Sequence, residues 1–119
     1  MIRGGVVMLD VGDVGRAVRF YVETLGMKLV EERPDGSVVL DAGEGFRVGL
    51  QKSTREAPGT SGTGVTFFPK IPIDEAIAVL ENRGVSFTVE RTEHFVLARF
   101  RDPDANPLCL AQAVAPGQG

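Results

Sequence analysis

Phe100-Arg101-Asp102-Pro103-Asp104-Ala105-Asn106-Pro107-Leu108-Cys109-Leu110 places a cluster of Pro, Asp and Asn between two runs of alternating apolar residues. Pro presets φ, and Asp and Asn side chains bond nearby backbone N–H groups, so the segment reads as strand, tight turn, strand. Side chains in a strand repeat every two residues, which sends Leu108 and Leu110 to one face and Pro107, Cys109 and Ala111 to the other. Cys109 is the chain's only cysteine.

Working outward, the hairpin's first strand is Phe95 to Arg101, and a further strand, Val85 to Glu90, precedes it. Before that lies an apolar stripe, Ile73, Ala76, Ile77 and Leu80, at helical spacing. Asp74 and Glu75 sit at the favourable end of the helix dipole, and Gly84 marks the stop. Val65 to Phe68 opens this half as a strand. The order recurs upstream. Val6 to Val11 is a strand, and Asp13 caps a helix whose apolar positions are Val14, Ala17, Val18, Tyr21 and Leu25. Gly26 ends it, and strands Met27 to Glu32, Ser37 to Asp41 and Phe46 to Gln51 follow. An offset of about 59 relates the halves, with Val6 answering Val65 and Gly26-Met27 answering Gly84-Val85. The expected fold is therefore α+β, with two tandem βαβββ modules forming a curved mixed sheet around a cleft. Their expected bounds are 1–52 and 63–114, joined by a Ser, Thr, Pro and Gly rich linker at 53–62 and followed by a flexible tail at 115–119.

Composition narrows the function. The chain has 119 residues, 43% of them apolar and a net charge of -3, which opposes a phosphate-binding surface and so argues against nucleic acid. No apolar run nears the roughly 18 residues of a membrane span, and Asp10 comes too early for a signal-peptide apolar region, so the expected location is cytoplasmic. One cysteine makes no internal disulfide, and one cysteine with one histidine makes no ordinary zinc site. His94 falls at a strand start on the parity opposite to Phe95. Gly59 to Gly64 lacks the Lys and helix of a phosphate loop and reads as linker.

Each sheet has one face for its helix and one that must meet something else. Alternation places Val6, Met8, Asp10, Arg47, Gly49, Gln51, Val65, Phe67, Phe95, Leu97, Arg99, Pro107, Cys109 and Ala111 on those second faces. From this set the expected ligand-binding residues are Met8, Asp10, Arg47, Gln51, Phe67, Phe95, Leu97, Arg99 and Cys109. Apolar walls with a few orienting polar groups are typical of a small-molecule site. Cys109 is read as a pocket-wall residue rather than a nucleophile, and the arginines, Arg99 before Arg47, as either ligand contacts or ion-pair partners of Asp10 or Glu90.

The motifs Val11-Gly12-Asp13, Phe20-Tyr21, Leu25-Gly26-Met27-Lys28-Leu29 and Phe100 to Asn106, together with the paired modules, resemble the vicinal oxygen chelate superfamily. This superfamily includes glyoxalase I, extradiol dioxygenases and bleomycin-resistance proteins. The resemblance implies a divalent metal held by four side chains, whose positions fall here on Val6, Gly49, Val65 and Cys109. Three of these carry no donor atom, so no metal or cofactor is expected. The expectation is a metal-free, homodimeric binder of a small organic molecule, of the drug-sequestering kind. The alternative is a lyase, isomerase or dioxygenase with atypical ligands or with metal-independent chemistry at Cys109 and Arg99. The family turn usually has Gly where this chain has Ala105. A left-handed conformation there costs Ala about 1 to 2 kcal/mol, so Asn106 is expected to take it, or the turn to differ.

Overall fold

The computed structural model describes residues 1, 6–53 and 64–114, so most of the expected linker and all of the expected tail lie outside the described residues. In chain order the elements are β1 (Val7–Val11), α1 (Val14–Arg19) continued by a π-helical turn (Phe20–Thr24), β2 (Lys28–Glu32), β3 (Val38–Gly43) and β4 (Phe46–Lys52). Then come β5 (Val65–Phe67), α2 (Ile73–Asn82), β6 (Thr88–Arg91), β7 (Phe95–Arg101) and β8 (Pro107–Ala113). The fold is α+β, with two four-stranded mixed sheets of order β1-β4-β3-β2 and β5-β8-β7-β6. Two compact units result. One is Met1–Gly62 with the turn Asp102–Asn106, and the other is Thr63–Arg101 with Pro107–Gly119.

In the first unit β1 runs parallel to β4, while β4-β3 and β3-β2 are antiparallel. Leu9, Val11, Leu40, Val48 and Leu50 are buried on one face together with Ala17 and Tyr21 of the helical segment. The Asp13 carboxylate caps α1 by accepting from the Arg16 N–H at 3.0 Å, and that bond holds its carboxyl below the usual value. Six residues on, the helix widens, with the Leu25 N–H reaching the Phe20 carbonyl. Gly26, at φ 79°, then stops it, and the Met27 N–H closes onto the Tyr21 carbonyl. The expected single helix therefore has a π-helical last turn, and Tyr21 in that turn is fully buried.

The second unit repeats the plan. Ile73, Ala76, Ile77 and Leu80 of α2 are buried, as are Val96, Ala98, Phe100, Leu108 and Leu110 of β7 and β8. The first N–H of α2, from Ile73, has no side-chain cap at Pro72 and donates instead to the Gln112 side-chain oxygen at 3.0 Å. The outer strands β2 and β6 are exposed along their whole length, and charges at Lys28, Glu31, Glu32, Glu90 and Arg91 guard them against stray pairing. No described helix is long and apolar enough to cross a membrane.

The turn at 102–106 is tied down by one carboxylate. Asp102 accepts four hydrogen bonds: from the Asp104 and Asn106 backbone N–H groups, from the Asn106 side-chain amide, and from the Tyr21 hydroxyl at 2.8 Å. The Asn106 amide also donates to the Asp10 carbonyl. Asp104 accepts from the Gly12 N–H and from Arg16, each at 2.9 Å. These bonds fix the end of β1 and the start of α1. Ala105 itself takes the left-handed conformation, at φ 67°. The strain therefore falls on Ala105, at the position where the family turn has Gly, and not on Asn106 or on a differing turn as expected.

Candidate functional site

Of the nine residues expected to line a ligand site, Met8, Asp10, Arg47 and Gln51 belong to the first unit. Register fixes their face. Met8 stands beside Gly49 and Asp10 beside Gln51, while Val7, Leu9 and Val11 pair with Val48, Leu50 and Lys52 on the opposite face. The first-unit residues therefore share the face turned away from the core. Gln51 donates to Asp10 at 2.9 Å, a polar pair exposed at one end of this face. Arg47 is exposed at the other end, level with Asp41.

The middle is filled by Met8. A Cβ built on Gly49 would lie 2.2 Å from the Met8 Sδ and 2.9 Å from its Cε, with the Val6 Cγ2 at 3.4 Å. The thioether thus lies across the bare glycine backbone. Gly49 and Val39 on this face are buried beneath the surface, whereas Met8 remains half-buried. Val39 was not identifiable as a face residue from the pattern of its own strand, because Val38, Val39 and Leu40 are a continuous apolar run.

In the second unit Phe95, Leu97, Arg99 and Cys109 share the face away from α2, since they alternate with the buried Val96, Ala98, Leu108 and Leu110. Phe67 does not join them. β5 pairs in parallel with β8 so that Val65 sits beside Leu108, Thr66 beside Cys109 and Phe67 beside Leu110. Val65 and Phe67 are therefore on the core face, and Thr66 is the exposed member of the strand. The correction has a simple cause. The first strands correspond at an offset of 58, Met8 to Thr66, and the last at 60, Gly49 to Cys109. An assumed offset of 59 shifts the register by one residue and turns every side chain over.

Thr66, Cys109, Arg99 and Thr88 consequently form one row across the second sheet. Arg99 pairs with Glu90 at 3.2 Å, one of the two ion-pair partners considered from sequence, and both are exposed. The half-buried Cys109 thiol donates to the Leu110 carbonyl at 3.3 Å. His94 is exposed.

The residues at the four metal-ligand positions do not fit a divalent ion. In the first unit Val6 and Gly49 offer no donor, and Met8 occupies the space a side chain at 49 would need. In the second, Val65 faces the core, and the outward neighbours Thr66 and Cys109 offer one hydroxyl and one thiol. Among the described residues no three His, Cys, Asp or Glu side chains converge as metal ligands. A hard cation requires several oxygen or nitrogen donors, and a thioether is a poor substitute.

Comparison with known proteins agrees with this architecture. The family model described as the Glyoxalase/Bleomycin resistance protein/Dioxygenase superfamily matches residues 5–110. A virulence protein of Salmonella typhimurium, STM3117, is 26% identical, over 90% of this chain and 81% of that protein. The crystal structure of TnmS3, an antibiotic binding protein from Streptomyces sp. CB03234, superposes with a TM-score of 0.82 at 27% identity, covering 96% of this chain and 98% of that one. A superfamily member from Sphaerobacter thermophilus is 29% identical with a TM-score of 0.79, covering 93% and 97%. With the model spanning nearly all of its length, this chain belongs to the Glyoxalase/Bleomycin resistance protein/Dioxygenase superfamily.

Proposed function

We propose that this protein binds a small organic molecule without a metal, using the sheet faces turned away from its cores, and that it acts by holding the molecule rather than by transforming it. The observation that carries the reading is the missing donor set: in the first unit Val6 and Gly49 offer no ligand atom and the Met8 thioether lies over the glycine, and in the second the outward pair beside one another is Thr66 and Cys109. In the first unit half-buried Met8 lies between Arg47 and the Asp10–Gln51 pair, and in the second half-buried Leu97 and Cys109 lie beside Arg99, so each face by itself mixes apolar and polar groups as such a ligand requires. The similarity to an antibiotic-binding protein at 27% identity supports a drug-like ligand. The metal-independent enzyme reading is less well supported, because the Arg99 guanidinium is engaged by Glu90 rather than directed at Cys109.

The protein would work in the cytoplasm as a homodimer, which sedimentation at micromolar concentration tests. Ligand binding is tested by a thermal-shift screen against aromatic antibiotics, thiol conjugates and neutral lipophilic metabolites. A binder of the native state raises the melting temperature by mass action. The reading predicts at least one compound with a dose-dependent rise. A flat response to every class would defeat it.

A further inference from the structure

We infer that the face of the first unit selects an elongated aromatic molecule with an anionic group at one end and a cationic or hydrogen-bond-donating group at the other, and that Met8 is the residue that grips its ring. The inference rests on the small-molecule reading above and names its ligand class.

Three observations converge on it. Gly49 and Val39 are buried, so the Met8 side chain is what a ligand meets at the centre of the face. A thioether is polarisable and makes favourable contacts with aromatic rings, and the side-chain-free glycine beneath lets it lie flat. The charges on either side are opposite in kind. On β4, Arg47 and Gln51 lie two residues to either side of Gly49, so they are separated by about 13 Å of strand. Arg47 and Lys28 flank Asp41, whose Oδ1 accepts from the Gly43 N–H, so this end keeps a net positive charge, and among the described residues the exposed Arg47 guanidinium makes no ion pair and is left to an acidic group. At the far end Asp10 Oδ1 accepts from Gln51, which steadies the carboxylate, and the second oxygen can accept from an amine or hydroxyl. A molecule with one sign of charge alone would satisfy only half of this face.

The test uses two fluorescent aromatic probes of opposite charge, 8-anilinonaphthalene-1-sulfonate and 9-aminoacridine, titrated with the full chain. Thermal midpoints are recorded so that only folded variants are compared. Arg47→Ala is expected to weaken the sulfonate at least fivefold and to leave the aminoacridine within twofold, and Asp10→Asn to do the reverse. Met8→Ala is expected to weaken both at least fivefold. Met8→Leu, which keeps the volume, is expected to weaken both by about two- to tenfold, the range of a lost sulfur–ring contact. The inference is overturned if both Met8 variants bind like the wild type, or if the charge variants act alike on the two probes. It is also overturned if neither probe binds while the thermal-shift screen finds a ligand, an outcome that leaves the broader reading standing. A screen with no ligand at all defeats the broader reading instead.

Discussion

The chain's single tyrosine gives an internal reporter for the bond that holds the turn at 102–106 within the first unit. Tyr21 is fully buried and donates to the Asp102 carboxylate at 2.8 Å. Burial, with the Asp102 charge adding to it, pushes the phenol far above its ordinary value of 10.0. A group whose folded pKa is raised keeps its full stabilising contribution below the unfolded pKa and loses it as pH climbs past that value. Above pH 10 the unfolded chain therefore releases a proton that the native state retains, and stability falls by about 1.4 kcal/mol per pH unit from this group alone. At neutral pH, Tyr21→Phe removes a hydrogen bond to a charged acceptor, at a cost of about 1.5 to 3 kcal/mol. The variant lacks the alkaline loss, so its deficit should close by about one to two units above pH 10. Urea unfolding of both proteins across the alkaline range measures this. In parallel, the near-ultraviolet absorbance of tyrosinate should appear only together with unfolding. Tyrosinate rising near its ordinary pKa while far-ultraviolet circular dichroism stays native would refute the buried bond, as would parallel pH profiles for the two proteins.

Other consequences concern the turns and the glycine under Met8. Ala105 is left-handed at φ 67°, so Ala105→Gly trades about 1 to 2 kcal/mol of strain for a smaller gain in unfolded-chain freedom, and urea denaturation should show a net stabilisation of about 0.5 to 1 kcal/mol. The β3-β4 hairpin carries Glu44 at φ 51° and Gly45 at φ 82° between the paired Gly43 and Phe46. This sign pattern suits Asn-Gly, so Glu44→Asn should raise the melting temperature and Gly45→Ala should lower it. A Cβ at 49 collides only with the movable end of Met8, so Gly49→Ala should be nearly neutral in the wild type but stabilising by about 0.5 to 1 kcal/mol in a Met8→Ala background. A double-mutant cycle should thus show coupling of about 0.5 to 1 kcal/mol, and additivity would mean the thioether lies elsewhere.

Much of this architecture was legible because its signals are local. The stripe Ile73, Ala76, Ile77 and Leu80 specified α2, and the turn cluster at 102–106 specified the β7-β8 hairpin to within a residue. Alternation in β7 and β8 assigned the faces correctly, since seven-residue strands carry enough period to be read alone. β5 failed for the complementary reason. A three-residue strand has almost no period, so its face had to come from the repeat, and insertions between the modules make that offset drift from 58 to 60. The π-helical turn was equally invisible, because the apolar spacing through Leu25 continues that of α1, and the Asp102 partner of the Tyr21 buried in that turn lies 81 residues away. The position of Met8 over Gly49 joins two strands far apart in sequence, and no single-strand pattern encodes it.

Calorimetric titration of chelator-treated protein with an aromatic ligand found by thermal shift tests the central claim most directly, performed once in excess chelator and once with added zinc, nickel or manganese. The account predicts stoichiometric binding of the same affinity in both, and undiminished binding after Cys109→Ala. Heat of ligand binding that appears only after a divalent metal is supplied would contradict it.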